Sequence, residues 1–217
     1  GNQKTGEAFR KAMNSLPESG GIIYSPKGTY RFTLGIAIER SNIVLRGAGM
    51  GKTRLLFDTH DECIPVKTYQ RGNWQKLAAN YQKGKTRVVV SDRQKFTGVQ
   101  FAEIRQCNDP QIMYTDSLWN QPWSKHSVGQ MLKIKNLDED TINLQNSLYF
   151  SFNKKMNPKI RPVNLLQNIG IESFSVEKLK AGDSNTLLFK NTAFCWVKNI
   201  ESDHAFRRHV AFHSSVT

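Results

Sequence analysis

Residues 41–57 read "SNIVLRGAGMGKTRLLF", and how this stretch is read decides the fold. Its centre, Gly49-Met50-Gly51-Lys52-Thr53, has the composition of a phosphate-cradling loop. Such a loop needs a glycine, four residues, then Gly-Lys-Ser/Thr. Counted back from Gly51, the first glycine falls on Arg46, while the glycines stand at Gly47, Gly49 and Gly51. The loop must also open into a helix whose N-terminal amides hold the anion. Lys52 leads instead into Thr53-Arg54-Leu55-Leu56-Phe57, short and apolar, and Asn42-Ile43-Val44-Leu45 leads into the glycines. Strand, glycine turn, strand is a bend in a β-structure. No nucleotide is expected here.

Upstream, residues 5–16 place Ala8, Phe9, Ala12, Met13 and Leu16 on one face of a helical period, with Thr5 as N-cap. Pro17 and Gly20-Gly21 end that helix. Short β-prone runs come next, at Ile22–Ser25, Thr29–Phe32, Gly35–Ile38, Ile43–Leu45 and Thr53–Phe57. Runs this short, at regular spacing, imply a solenoid or a barrel. A second repetitive region begins near residue 168. There "GIESFSVE" (170–177) aligns with "WVKNIESD" (196–203), so that Ile171 matches Val197 and Phe174 matches Ile200. That offset suits one solenoid turn of about two dozen residues. "NTLLFK" (185–190) and "HVAFHS" (209–214) supply further strands.

Between these regions, roughly 60–165, the texture differs. A hairpin-like pair, "VGQMLKIKN" and "TINLQNS", is joined by Leu137-Asp138-Glu139-Asp140. An aromatic loop, "MYTDSLWNQPWSKHS", carries Trp119 and Trp123 with Arg105, Lys125 and His126 nearby. Two roles stay open for these tryptophans: anchors of a small core, or platforms against the apolar C–H face of a sugar.

"AFRKAMNSLPESGGIIYSPKGTYRF" with "SNIVLRGAGMGKTRLLF" after it resembles the start of the pectate-lyase-like right-handed parallel β-helix superfamily. The resemblance rests on Ala8, Phe9 and Ala12, on Gly20, Gly21, Pro26, Gly28, Thr29 and Tyr30, and on Asn42, Ile43, Leu45, Gly47 and Gly49. It implies an all-β right-handed parallel β-helix with an N-terminal capping helix and an inserted β-rich subdomain. The expected divisions are 1–59 for the cap and first coils, 60–166 for the insertion, and 167–217 for further coils. Ile43, Leu45, Leu56, Ile171, Phe174, Val197 and Ile200 would then point inward. The last residues, "HVAFHSSVT", show no capping pattern, so the stretch reads as the N-terminal portion of a longer protein.

Bulk chemistry narrows the partner. The 31 Lys and Arg against 18 Asp and Glu leave a net charge of +13, which attracts polyanions. No arginine-rich helix, zinc finger or aromatic RNA motif accompanies it, so nucleic acid is not expected. No apolar run is long enough for membrane insertion. Cys63, Cys107 and Cys195 are widely spaced and form no zinc pattern. With the resemblance, the partner expected is an acidic polysaccharide, met in a secreted or periplasmic location.

Family members include polysaccharide lyases, glycoside hydrolases and phage tail fibres, and fold alone does not choose among them. The charge favours a lyase acting by β-elimination; the alternatives are a glycoside hydrolase and a non-catalytic glycan-binding or tail-fibre-like module. The segment "ESDHAFRRHVAFH" (201–213) gathers the candidate chemistry. His204, Arg207 and Arg208 are the catalytic candidates. Glu201 and Asp203 are candidate calcium ligands. Trp119, Trp123, Lys125 and His209 are the candidate substrate-binding residues. A solvated turn is the alternative for the whole segment.

Overall fold

The structure of the protein is a computed structural model, which describes residues 2–113, 116, 118 and 120–216. A helix, α1, spans Asn2–Ser15. The first strands are β1 (Gly21–Ser25), β2 (Gly28–Phe32), β3 (Ile43–Gly47), β4 (Thr53–Phe57) and β5 (Ile64–Lys67). Then come β6 (Gln75–Lys76), β7 (Arg87–Val89), β8 (Phe101–Gln106), β9 (Val128–Asp138), β10 (Thr141–Leu144) and β11 (Lys159–Val163). The last group is β12 (Leu166–Gln167), β13 (Gly170–Lys178), β14 (Leu187–Lys190), β15 (Thr192–Ala193), β16 (Trp196–Asp203) and β17 (Val210–His213). The chain divides into two compact units, Gly1–Thr68 with Leu165–Thr217, and Tyr69–Asn164.

The first unit is built from parallel stacks. In the largest, β1 and β2 lie on β3 and β4, these lie on the two halves of β13, and β13 lies on β16. A second stack runs β5, β14, β17, and a third pairs β12 with β15. The spacing between stacked residues is 26 positions from Ser175 to Glu201 and 23 from Thr192 to Ser215. Ile171 pairs with Val197 and Phe174 with Ile200, in the register read from the sequence. Parallel pairs need long connections, and here each connection carries further strands.

Alternation along each strand sends one set of side chains inward. Ile23, Leu45, Ile171 and Val197 form one inward ladder through four coils. Phe32 stacks on Phe57 with ring centroids 4.8 Å apart. Phe9 of α1 meets Phe32 edge-on at 5.1 Å, so the helix closes this end of the core with an aromatic contact. Each fully buried Leu, Ile or Phe contributes roughly 1.5–3 kcal/mol relative to exposure. Above Phe57 the ladder continues to Lys178, which is wholly buried. Its Nζ donates to the His60 carbonyl at 3.2 Å and to Ser184, so the buried ammonium is satisfied by oxygens of the coil corner.

The glycine turn at 47–51 is occupied by the next coil. The Gly49 amide donates to the Ser173 carbonyl at 2.9 Å, and the Gly51 amide to Ser175 Oγ at 2.8 Å. Amides that would cradle a phosphate are thus spent on coil stacking. At Gly47 a β-carbon would come within 2.4 Å of the Ser173 carbonyl oxygen, so the residue is needed for close approach. Asn42 and Asn168 turn corresponding corners at φ 63 and 56, a conformation asparagine tolerates, and Asn168 Nδ2 donates to Asn42 Oδ1 at 2.9 Å.

Three expectations need correction. The helix begins at Asn2, so Thr5 lies within its first turns and is not the N-cap. Gly35–Ile38 is not a strand; only Ile38 forms a bridge, to Val66. Leu56 points outward, while its neighbours Leu55 and Phe57 are buried.

The second unit is an antiparallel sheet in the order β6-β11-β8-β9-β10-β7, with its own core around Phe96, Ile104, Leu132, Ile142, Phe152 and Ile160. The β9–β10 hairpin turns through Glu139 at φ 48, and Asp138 at its tip faces Arg87 at 3.6 Å in an exposed pair.

Candidate functional site

The outward face of the largest parallel stack is a lattice of side chains set by register. The column nearest the strand starts holds Ile22, Val44, Gly170 and Trp196. The next holds Tyr24, Arg46, Glu172 and Lys198. The third holds Thr29, Arg54, Ser175 and Glu201, and the fourth Arg31, Leu56, Glu177 and Asp203. Strand alternation sets the first two columns and, separately, the last two; between them Ser173 at φ 63 and Asn199 at φ 51 bend β13 and β16.

Polar links tie the columns across coils. Arg46 donates from Nε and Nη2 to Glu172 Oε1 at 2.9 and 2.7 Å. Arg54 Nη2 lies 3.3 Å from Glu177 Oε2, and His204 Nδ1 lies 3.4 Å from the other oxygen of the same carboxylate. Ser175 Oγ accepts from the Gly51 amide and donates to Glu201 Oε2 at 2.5 Å. The Asp203 carboxylate has no hydrogen bond or ion pair among the described residues. Together with Val176, the residues Arg54, Leu56, Ser175, Glu177, Glu201 and Asp203 line a notch of about 240 Å³.

The expected residues separate. Glu201 and Asp203 lie at this notch, with His204 at its edge through Glu177. Arg207 instead turns to Asp183, 3.5 Å from Nε to Oδ1, in the corner of the preceding coil. Arg208 is exposed in the β16–β17 turn, and its carbonyl accepts the Thr186 amide. His209 Nδ1 meets Ser202 Oγ at 2.9 Å, on the β16 position that alternates away from Glu201 and Asp203. Around this turn, His213 is held below its ordinary value by burial first, then by Arg208, Lys190 and Arg207.

In the second unit, Trp123 is 73% exposed on the turn Pro122–Ser124, and Lys125 Nζ donates to Asn120 Oδ1. Trp119 lies outside the described residues. Arg105 sits over Trp74, which Arg161 also covers, each guanidinium 4.1 Å from the ring centroid. Arg161 is paired to Glu103 at 2.6 Å. His126 Nε2 is 3.9 Å from Cys107 Sγ, and burial, Arg105 and Lys159 push the imidazole below its ordinary value.

For calcium, the donor chemistry of Glu201 and Asp203 is right but the arrangement is not. Among the described residues no three His, Cys, Asp or Glu side chains converge on one point. Glu201 and Glu177 are already engaged by Ser175, Arg54 and His204. No chemical step is therefore routed through a metal.

The sequence reading missed Arg54, Ser175, Glu177 and Trp196. The alignment of 170–177 with 196–203 held the signal for three of them, because it sets Ser175 beside Glu201, Glu177 beside Asp203 and Gly170 beside Trp196.

No family model matches this chain, and no curated protein matches it. Solved structures do. The tailspike gp49 of Pseudomonas phage LKA1 aligns with a TM-score of 0.67 at 14% identity, over 88% of this chain and 31% of that one. The tailspike gp61 of Pseudomonas phage phi297 aligns at 0.65 and 14%, over 90% of this chain and 30% of that one. The Gp54 tailspike of Acinetobacter baumannii bacteriophage AP22, solved with a capsular saccharide, aligns at 0.54 and 11%, over 96% and 36%. The chain thus spans about a third of the length of these structures. At such identities the likeness concerns the fold, a β-rich solenoid-like architecture shared with tailspikes.

Proposed function

We propose that this chain is the glycan-engaging part of a phage tailspike-like protein that binds and degrades a surface polysaccharide outside the cell. In this reading the stacked parallel strands are coils of a right-handed parallel β-helix, the hand that parallel crossovers almost always take. The outward face of its largest sheet is the glycan platform. The observation that carries the reading is the notch where Glu177, Glu201 and Asp203 from two successive coils meet. The capsular saccharide bound by one tailspike of similar fold supports the choice of ligand.

The chemistry that fits this notch best is glycoside hydrolysis, which uses two carboxyl groups on either side of the scissile bond. Glu177, ion-paired to Arg54, suits the ionised partner that attacks the anomeric carbon or activates water. Asp203, its neighbour across one strand spacing of about 4.8 Å, has no partner among the described residues and suits the proton donor to the leaving oxygen. Glu201, fixed by Ser175, suits a hydroxyl-binding group.

A second reading keeps the lyase. The net charge of +13 favours an acidic polymer, and Arg54 and His204 border the notch, where a cation and a base would serve β-elimination.

Capsular polysaccharides from Acinetobacter and Pseudomonas, together with alginate and hyaluronate, distinguish the readings. Hydrolysis releases reducing ends without new ultraviolet absorbance. Elimination adds an absorbing C=C bond with each cut. Retardation in an affinity gel with neither signal leaves glycan binding alone. Failure of every polymer to retard the chain or to be cut overturns the proposal.

A further inference from the structure

We infer that Trp196 is a sugar-stacking platform, a second subsite at an outward position of β16, the strand that also carries Glu201 and Asp203 of the carboxylate notch. This rests on the glycan reading above. Trp196 opens β16 at an outward position and is 37% exposed. The residue beneath it in the preceding coil is Gly170. A β-carbon at Gly170 would lie 2.4 Å from Cε2 and Cζ2 of the indole and 2.7 Å from Nε1. The ring therefore lies across the glycine backbone. Glycine at this position is what lets the indole lie down instead of standing off the sheet.

The surroundings fit a pyranose. A sugar ring presents an apolar C–H face and a rim of hydroxyls. Trp196 supplies a flat apolar surface, continued down the stack by Val44 and by Ile22, which is 50% exposed. The adjacent column supplies the polar rim: Lys198 beside the indole, then Glu172 held by Arg46. Burial of an apolar face beside a few placed polar groups is the usual composition of a small-molecule subsite. Trp196 and Glu201 stand five residues apart on β16, with Asn199 between them at φ 51, so the strand bends between the platform and the notch. They are separate subsites, and the ligand that uses both is an oligosaccharide or a polymer.

The test is affinity electrophoresis in gels containing alginate, hyaluronate, dextran or Acinetobacter capsular polysaccharide, with fluorescence titration against the polymer that retards the chain. Trp196→Ala is expected to weaken retardation about tenfold, the loss of one stacking contact, with the melting temperature retained. Trp196→Phe keeps a ring and the fold but removes the indole signal; polymer is expected to change the fluorescence of the native chain and not of this variant. Full retardation of Trp196→Ala, or an unchanged fluorescence response in Trp196→Phe, overturns the platform. If Glu177→Gln then still abolishes retardation or cleavage, the glycan reading survives that loss. Retardation by none of the polymers overturns both. A native chain that self-associates and becomes monomeric in Trp196→Ala, without a change in glycan binding, makes the ring a protein contact and overturns the inference.

Discussion

Arg46 and Glu172 are 126 residues apart in the chain and 2.7 Å apart in space, the guanidinium of one coil clasping the carboxylate of the next. Glu172 is nearly covered, while Arg46 remains half exposed. Removal of Arg46 strands a carboxylate with little access to water; removal of Glu172 leaves a guanidinium that water can reach. Arg46→Ala is therefore expected to cost about 1–3 kcal/mol, and Glu172→Ala less. A double-mutant cycle by urea denaturation is expected to give a coupling of about 0.5–1 kcal/mol. A coupling of zero contradicts the pair as a stabilising contact between these strands.

Leu55 and Leu56 are adjacent and chemically identical, yet they face opposite sides of the sheet. Leu55→Ala is expected to cost about 2–5 kcal/mol as a cavity in the core. Leu56→Ala is expected to stay within about 1 kcal/mol. Thermal melts of the two variants check this. Equal losses contradict the assignment of faces.

That pair also shows where the sequence runs out. The short runs, the glycine turns and the match of Ile171 to Val197 made the parallel stacking legible, because the register follows from aligning two strands. The phase of β4 was not legible, since Leu55 and Leu56 satisfy either alternation; the contact of Phe57 with Phe32 fixes it. Gly35–Ile38 has strand composition but makes one bridge only, so composition overstated pairing. Within the site, Glu201 and Asp203 were legible as a polar cluster. Arg207 and His209, grouped with them by proximity in sequence, take other partners because the chain leaves β16 into a turn. The +13 charge pointed to an acidic glycan, yet three of the seven residues lining the notch are carboxylates. Net charge describes the whole surface and not one site on it.

Cys63 is buried in the core of the first unit, and burial pushes its thiol up to about 12. Alkylation proceeds through the thiolate. Iodoacetamide at pH 8 is expected to leave Cys63 unmodified in the native protein and to label it after denaturation, as read by peptide mass spectrometry. Native labelling of Cys63 as fast as that of Cys107 contradicts the buried position.

His213 titrates below its ordinary value of 6.5 in the folded chain, because burial and the neighbouring Arg208, Lys190 and Arg207 disfavour its charged form. The unfolded chain therefore binds the proton first as pH falls. Full stability is present above 6.5 and is lost as pH drops from that value towards the folded one. The melting temperature is expected to fall as pH drops below 6.5, and His213→Gln to shrink that fall. An unchanged slope in the variant contradicts the assignment.

The most direct test of the glycan account is retardation and cleavage of capsular polysaccharide by the native chain beside the triple variant Glu177→Gln, Glu201→Gln, Asp203→Asn. The account predicts that the variant keeps its melting temperature and loses cleavage, with retardation weakened. A variant that cuts and retards like the native chain, while Trp123→Ala with Lys125→Ala abolishes both, contradicts it and moves the site to the second unit.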